Sequence, residues 1–163
     1  MNETRGQPWR AWVIALVIPL AVGGFSALLT KDSMDLYGTV AMPPLSPPGW
    51  LFPVVWSVLY LLMGVGSALV WQHGEEEPEA VSRALSVYAV SLGFNFLWSI
   101  LFFSCRWFLV AFLWLLGLLG LIVATIAAYR PISKTAARLQ IPYALWVAFA
   151  GYLNAAIWYL NRG

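Results

Sequence analysis

The sequence predicts an all-α integral membrane protein, a bundle of five transmembrane helices. Hydrophobic residues make up 61% of its 163 residues and charged residues only 10%, whereas charged residues make up about 25% of an ordinary soluble domain. Nearly the whole chain falls into apolar windows close to the ~20 residues that cross a bilayer as a helix. These windows lie at about 10–30, 50–72, 82–104, 107–129 and 139–161. Because the connections are short, we expect one transmembrane domain over 1–163, with successive helices antiparallel.

The first window, from Ala11 to Thr30, follows a short polar leader that ends at Trp9. It is longer than the apolar region of a secretory signal peptide, and it lacks a small-residue cleavage pattern. We therefore expect an uncleaved first transmembrane helix. Gly23, Gly24 and Ala27 give this helix a small-residue face that a neighbouring helix can approach closely.

The loop over residues 31–49, between the first and second windows, is rich in proline. Its prolines are Pro43, Pro44, Pro47 and Pro48. Proline fixes its own φ and holds the preceding residue out of the α region, so residues 42–48 are predicted to form a stiff extended segment. Pro53 falls inside the first turn of the second helix, where a missing N–H costs little. We expect the loop to cover the end of the bundle, with Trp56 just beneath it.

Polar and aromatic side chains recur at similar depths below this loop. At ~1.5 Å of rise per residue, Trp56 and Trp98 lie ~9 Å from the loop-bearing face, Asn154 ~10 Å and Asn95 ~14 Å, with Trp146 deeper at ~22 Å. These groups could therefore line one cavity. The alternative is plain core packing, in which the two asparagines form hydrogen bonds between helices.

Small residues at four-residue spacing mark the third and fourth windows. They are Ala89 and Gly93 on the third and Gly120, Ala124 and Ala128 on the fourth. This spacing allows two helices to approach closely. A five-helix bundle leaves such small-residue faces exposed to lipid unless another subunit covers them. We therefore expect a homodimer that uses at least one of these faces. The alternative is that the small residues pack against helices of the same subunit.

The charges exclude several classes of function. All nine basic residues, all seven acidic residues and His73 fall in loops or near window ends, whereas ion-driven transporters normally need charged groups inside the membrane. No phosphate-binding glycine loop, metal-spaced His/Cys set or Ser/His/Asp arrangement is present, so we expect neither a metal nor a resident cofactor. A net charge of +2, scattered along the chain, gives no basic stripe for nucleic acid.

The positions of the basic residues favour an inside N-terminus. Six would lie on the N-terminal face: Arg5, Arg10, Arg83, Arg130, Lys134 and Arg138. The other three, Lys31, Arg106 and Arg162, would lie on the opposite face. Cytoplasmic loops carry an excess of such residues. We expect a multi-pass protein of a bacterial membrane rather than of the mitochondrial outer membrane.

Aromatic residues are unusually frequent, with ten Trp, seven Tyr and nine Phe, and interfacial belts account for only some of them. Three stretches, 37–64, 95–103 and 137–154, resemble the translocator protein family, also called tryptophan-rich sensory proteins or peripheral-type benzodiazepine receptors. The most specific matches are Pro43, Pro47-Pro48, Trp50, Val55-Trp56, Asn95-x-x-Trp98, Pro142-Tyr143-x-x-Trp146 and Leu153-Asn154. The resemblance runs from about Pro19 to Trp158.

This resemblance implies a five-helix protein, frequently dimeric, that binds porphyrins, haem and benzodiazepine-site ligands under its first loop for transport or sensing. The matching pocket positions are Tyr37, Trp56, Asn95, Trp98, Trp146, Phe149, Ala150 and Asn154. Flat macrocycles need aromatic faces and a few fixed polar groups, which this set supplies. The family also implies an enzymatic alternative, light-dependent oxidative breakdown of protoporphyrin, in which Trp56 and Trp146 would intercept the excited macrocycle or reactive oxygen.

Departures from the family pattern bear on which ligand is bound. Met42 and Leu45 stand where the family commonly has a lysine and an aromatic residue, which removes a cation near the loop. For sterol contact, the loose cholesterol pattern is met by Leu153, Tyr159 and Arg162. However, alanines at 155 and 156 replace tyrosines of animal members. Cholesterol or lipid binding, and a purely structural membrane role, are the further alternatives.

Overall fold

A computed structural model describes residues 8–33 and 35–163. Residues 1–7, which hold most of the predicted polar leader and Arg5, lie outside the described residues. Within the described ranges the chain forms helices and no strands. The α-helices are α1 (Pro8–Thr30), α2 (Leu36–Thr39), α3 (Leu51–Trp71), α4 (Pro78–Ser99), α5 (Phe108–Tyr129), α6 (Lys134–Leu139) and α7 (Ile141–Leu160). Five helical segments are long and apolar enough to cross a membrane, which confirms the predicted fold class.

Two of the spans differ from their predicted bounds for local reasons. The third begins at Pro78 rather than at residue 82, because proline is favoured in the first turn of a helix and Glu79 adds a carboxylate at its positive end. It continues past α4 into a π-helical turn over Ile100–Ser104. The fifth is interrupted at Gln140, where the short α6 ends and α7 begins.

The five long helices form a closed ring. Helix α1 packs against α3 and α4, and helix α5 packs against α4 and α7. Helix α3 contacts α7 and the short α6, and it also touches α4 across the ring. The order around the ring is therefore α1, α3, α7, α5, α4. Since successive spans alternate in direction, the starts of α3 and α5 meet the ends of α1, α4 and α7 at the loop-bearing end.

Glycines permit the closest helix contacts. A Cβ atom added at Gly64 would lie 2.9 Å from the carbonyl oxygen of Ala15, so the backbones of α1 and α3 touch there. A Cβ atom at Gly23 would collide with the ring of Tyr60. By contrast, Gly24 is exposed, and an added Cβ would meet no described residue within 4 Å. The small-residue face predicted on α1 is thus used at Gly23 and open at Gly24.

The loop between α1 and α3 is more structured than predicted, and its proline segment is not uniformly extended. A 3-10 turn over Lys31–Ser33 and helix α2 fill its first half. In the second half the chain turns at Pro44 and Leu45, where Leu45 has a φ of 67°. The Ser46 hydroxyl donates to the Pro43 carbonyl at 2.7 Å. This local hydrogen bond closes a turn that the proline spacing did not reveal.

Candidate functional site

A cavity of about 320 Å³ lies between α1, α3 and α4 in the loop-bearing half of the bundle. Its α1 wall consists mainly of small and hydroxyl residues, and its α3 and α4 walls are largely aromatic. The lining residues are Leu20, Gly23, Gly24, Ser26, Ala27, Thr30, Phe52, Pro53, Trp56, Ser57, Tyr60, Trp98, Ser99 and Phe103. The volume falls at the lower end of the ~300–1,000 Å³ typical of small-molecule sites.

Trp56 is the central aromatic residue of this cavity. Its ring stacks on Tyr60 with centroids 5.6 Å apart and lies 6.4 Å from the ring of Trp98. Tyr143 meets it edge-on at 6.1 Å. Because the Trp56 side chain is only partly buried and lines the cavity, it can present an indole face to a flat ligand.

Trp98 forms the α4 wall and is fixed by a hydrogen bond. Its Nε1 donates to Asn154 Oδ1 at 3.1 Å, and Asn154 Nδ2 donates to the carbonyl of Phe108 at 2.7 Å. The Trp98 ring also stacks on Phe102 with centroids 5.4 Å apart. Asn154 therefore ties α4, α7 and the start of α5 together.

Asn95 lies in the core rather than on the cavity wall, with 1% of its surface exposed. The Tyr60 hydroxyl donates to Asn95 Oδ1 at 3.0 Å, and Asn95 Nδ2 donates to the Tyr143 hydroxyl at 2.7 Å. One amide thus joins α3, α4 and α7. Both asparagines serve as hydrogen-bonded links between helices, which is the core-packing arrangement that the sequence left open.

A second, much smaller cavity of about 20 Å³ lies on the α7 side of Trp98. Its lining residues are Tyr37, Trp98, Phe102, Ala150, Leu153, Asn154 and Ile157. Tyr37 reaches it from the loop and stacks on Phe52 at 5.4 Å. Of the predicted pocket residues, Trp56 and Trp98 line the larger cavity, while Tyr37, Ala150 and Asn154 line the smaller one together with Trp98.

Trp146 and Phe149 line neither cavity. They belong to an aromatic row that starts at Phe52 and continues along α7 through Trp146 and Phe149 to Tyr152, with centroids 5.5 to 6.2 Å apart. The wall residues Phe52 and Tyr60 were not predicted. Their spacing of four residues to either side of Trp56 places all three on one helix face, and this signal was available in the sequence.

The loop is attached to α7 by side-chain hydrogen bonds. The Ala41 N–H donates to Asn161 Oδ1 at 2.9 Å, and Asn161 Nδ2 donates back to the Ala41 carbonyl at 3.1 Å. The Tyr152 hydroxyl donates to the carbonyl of Pro44 at 2.8 Å. These bonds hold the loop closed against the end of α7.

The three residues of the sterol pattern do not share one face. Leu153 is 5% exposed and borders the small inner cavity, whereas Tyr159 is 58% exposed. The Arg162 guanidinium lies over the Tyr159 ring at 4.0 Å. A separate outer groove beside the loop is lined in part by Pro43, Pro44 and Tyr159, and by the alanines at 155 and 156.

Comparison with known proteins agrees with the motifs found in the sequence. A model of the TspO/MBR family matches residues 15–160. The chain is 38% identical over 159 residues to the translocator protein of Ovis aries, covering 96% of this chain and 93% of that protein. It is 38% identical over 143 residues to the tryptophan-rich protein TspO of Chlorobaculum tepidum, covering 87% and 90%. It is 35% identical over 127 residues to the protein CrtK of Rhodobacter capsulatus, covering 78% and 79%. Because the family match spans most of the chain and the relatives align over most of their own length, this multi-pass membrane protein belongs to the TspO/MBR family.

Proposed function

We propose that the protein binds tetrapyrroles such as protoporphyrin IX and haem, and ligands of the benzodiazepine-site type, in the pocket under the 31–49 loop, for sensing or transport. The observation that carries this proposal is the asymmetry of the larger cavity. Indole and phenol rings form its α3 and α4 walls, while small residues of α1 leave room opposite them. Such a slot suits a flat, largely apolar molecule. Relatives named translocator protein and tryptophan-rich protein TspO support a membrane sensing or transport role.

Titration with protoporphyrin IX tests this proposal. In lipid nanodiscs, the wild-type protein is expected to show saturable quenching of tryptophan fluorescence at micromolar ligand. Trp56→Leu is expected to weaken binding about twofold to twelvefold, because it removes an aromatic contact worth about 0.5–1.5 kcal/mol. Trp71→Leu is the matched control, since Trp71 is exposed at the opposite end of α3. Absence of saturable quenching, or equal weakening by both substitutions, would contradict the proposal.

Light-dependent oxidation of the bound porphyrin is a second candidate function, and the position of Trp56 favours it. An indole on the cavity wall, 6.4 Å from a second indole at Trp98, can intercept an excited macrocycle or reactive oxygen. Trp146 does not line this cavity, although its ring meets the wall residue Phe52 edge-on at 5.9 Å. Under illumination with protoporphyrin IX, we expect Trp56→Phe to change the product spectrum and rate more than Trp146→Phe does. If both variants match the wild type, the tryptophans have no such role.

We propose that the protein forms a homodimer through its small-residue faces. Gly93 and Gly120 are exposed, and a Cβ atom added at either would meet nothing within 4 Å. These two glycines therefore make no close contact among the described residues, and a second copy can approach them.

The dimer proposal predicts that Gly93→Leu or Ala124→Leu shifts the protein from dimer to monomer on a calibrated column in detergent. A leucine side chain would separate helix backbones that pack closely. Gly24→Leu is the control, because Gly24 is equally open but lies on α1, outside both faces. If neither variant changes the elution volume, the dimer does not use these faces.

A further inference from the structure

Trp98 separates the two inner cavities lined by α1, α3, α4 and α7 from each other. It lines both the larger cavity of about 320 Å³ and the smaller one of about 20 Å³, and among the described residues no other side chain is common to the two linings. Only 7% of its surface is exposed. The indole therefore fills the space between the α1 and α3 side of the pocket and the α7 side.

The Trp98 ring is held by contacts that a rotation of its side chain would break. Its Nε1 donates one hydrogen bond, to Asn154 Oδ1 at 3.1 Å. The ring stacks on Phe102 at 5.4 Å and meets Phe103 edge-on at 6.1 Å. Both phenylalanines lie in the π-helical turn that follows α4, and π-helical turns frequently mark functional positions in helices.

We propose that Trp98 determines the size of the ligand that the pocket admits. With its ring in place, the larger cavity alone receives small planar molecules. Displacement of the ring frees the space that the indole fills and opens the water-sized smaller cavity to the larger one. The enlarged pocket admits a macrocycle, which then contacts Trp56 on one side and Ala150 and Asn154 on the other. This inference rests on the proposed function and specifies the step that tetrapyrrole binding requires. In this proposal, one macrocycle contacts the predicted pocket residues that lie on both sides of Trp98.

Trp98 could act only as a wall residue that stacks on ligands, or as a partition between the two cavities. These two roles predict different results when the ring is removed. If Trp98 only stacks on ligands, its removal weakens the binding of every ligand that touches it. If it is a partition, its removal favours large ligands over small ones. The ratio of the two affinities therefore distinguishes the roles, even when removal of the ring lowers both.

The test uses protoporphyrin IX and a dipyrrin, which has half the number of pyrrole rings and the same chemistry. Both ligands are titrated by their visible absorbance into the full-length protein in nanodiscs. In Trp98→Ala, we expect the affinity for protoporphyrin IX relative to dipyrrin to rise about tenfold, the equivalent of one neutral buried hydrogen bond that no longer has to be broken.

Asn154→Ala provides a second test that keeps the indole. It removes the acceptor that holds Trp98 Nε1 and also the donor to the Phe108 carbonyl. Release of the indole should raise the association rate of protoporphyrin IX several-fold, while that of the dipyrrin stays unchanged. Trp114→Ala is the matched control. Trp114 is also a stacked, hydrogen-bonded indole, with Phe94 as its partner for both contacts, but it lines neither cavity.

An unchanged affinity ratio in Trp98→Ala, together with an unchanged association rate in Asn154→Ala, would overturn the partition. A ratio that rises equally in Trp114→Ala would also overturn it. Failure of the proposed function looks different, because the wild-type protein would then not bind protoporphyrin IX at all. If Trp98→Ala alone gained binding in that case, the partition would still be supported.

Discussion

Asn95→Leu is expected to lower the free energy of unfolding by about 2–4 kcal/mol, a large share of the stability of a small bundle. The substitution removes the acceptor of the Tyr60 hydroxyl and the donor to the Tyr143 hydroxyl, and both tyrosines are buried. In a membrane, hydrogen bonds between helices contribute only about 0.6–2 kcal/mol each. Leaving two buried hydroxyl groups without partners adds to this loss.

The free energy of unfolding can be measured by titrating detergent-solubilised protein with sodium dodecyl sulfate and following far-ultraviolet circular dichroism. The triple variant Asn95→Leu, Tyr60→Phe, Tyr143→Phe is the informative control. It removes all three polar groups of the link, so it should recover most of the lost stability. A triple variant that is no more stable than Asn95→Leu would show that shape, rather than unpaired polar atoms, controls the stability at this position.

Loosening the loop is expected to produce the largest effect on ligand release. Asn161→Leu removes both hydrogen bonds to the Ala41 backbone, each worth about 0.5–1.5 kcal/mol. We therefore expect dissociation of protoporphyrin IX to become about tenfold faster. Stopped-flow displacement measures this rate. Gln72→Leu is a suitable control, because Gln72 is an exposed amide at the opposite end of the bundle. Unchanged dissociation in Asn161→Leu would show that the loop does not retain the ligand.

The proline substitutions address the same loop through its flexibility. Pro47→Gly with Pro48→Gly should weaken ligand binding by a factor of about 4 to 30, because each change gives the open loop conformational freedom worth about 0.4–1 kcal/mol, which closure must remove. The helical bundle should be unaffected. Circular dichroism checks the bundle, and unchanged affinity in the double variant would remove the argument for a pre-ordered loop.

The five spans, the alternation of their directions and the family could all be predicted from the order of the residues. Hydropathy is a property of consecutive residues, and crossing a bilayer requires each span to satisfy its own backbone hydrogen bonds, so no knowledge of neighbouring helices is needed. The same local rule placed Trp56 on a helix near the loop. Phe52 and Tyr60 lie four residues to either side of Trp56 in the sequence, and this spacing places all three on one wall of the larger cavity.

The division of the candidate site residues between cavity walls and core depends on how the helices pack together. The sequence placed Trp56, Asn95, Trp98 and Asn154 at similar depths, but depth does not specify the direction of a side chain around its helix. In the folded chain Asn95 is buried between two tyrosines, and Trp98 stands between two cavities. The attachment of Ala41 to Asn161 joins residues 120 positions apart. Such contacts depend on which helices become neighbours in the ring. That order is set by the packing of whole helix faces, and it cannot be predicted from any short segment of sequence.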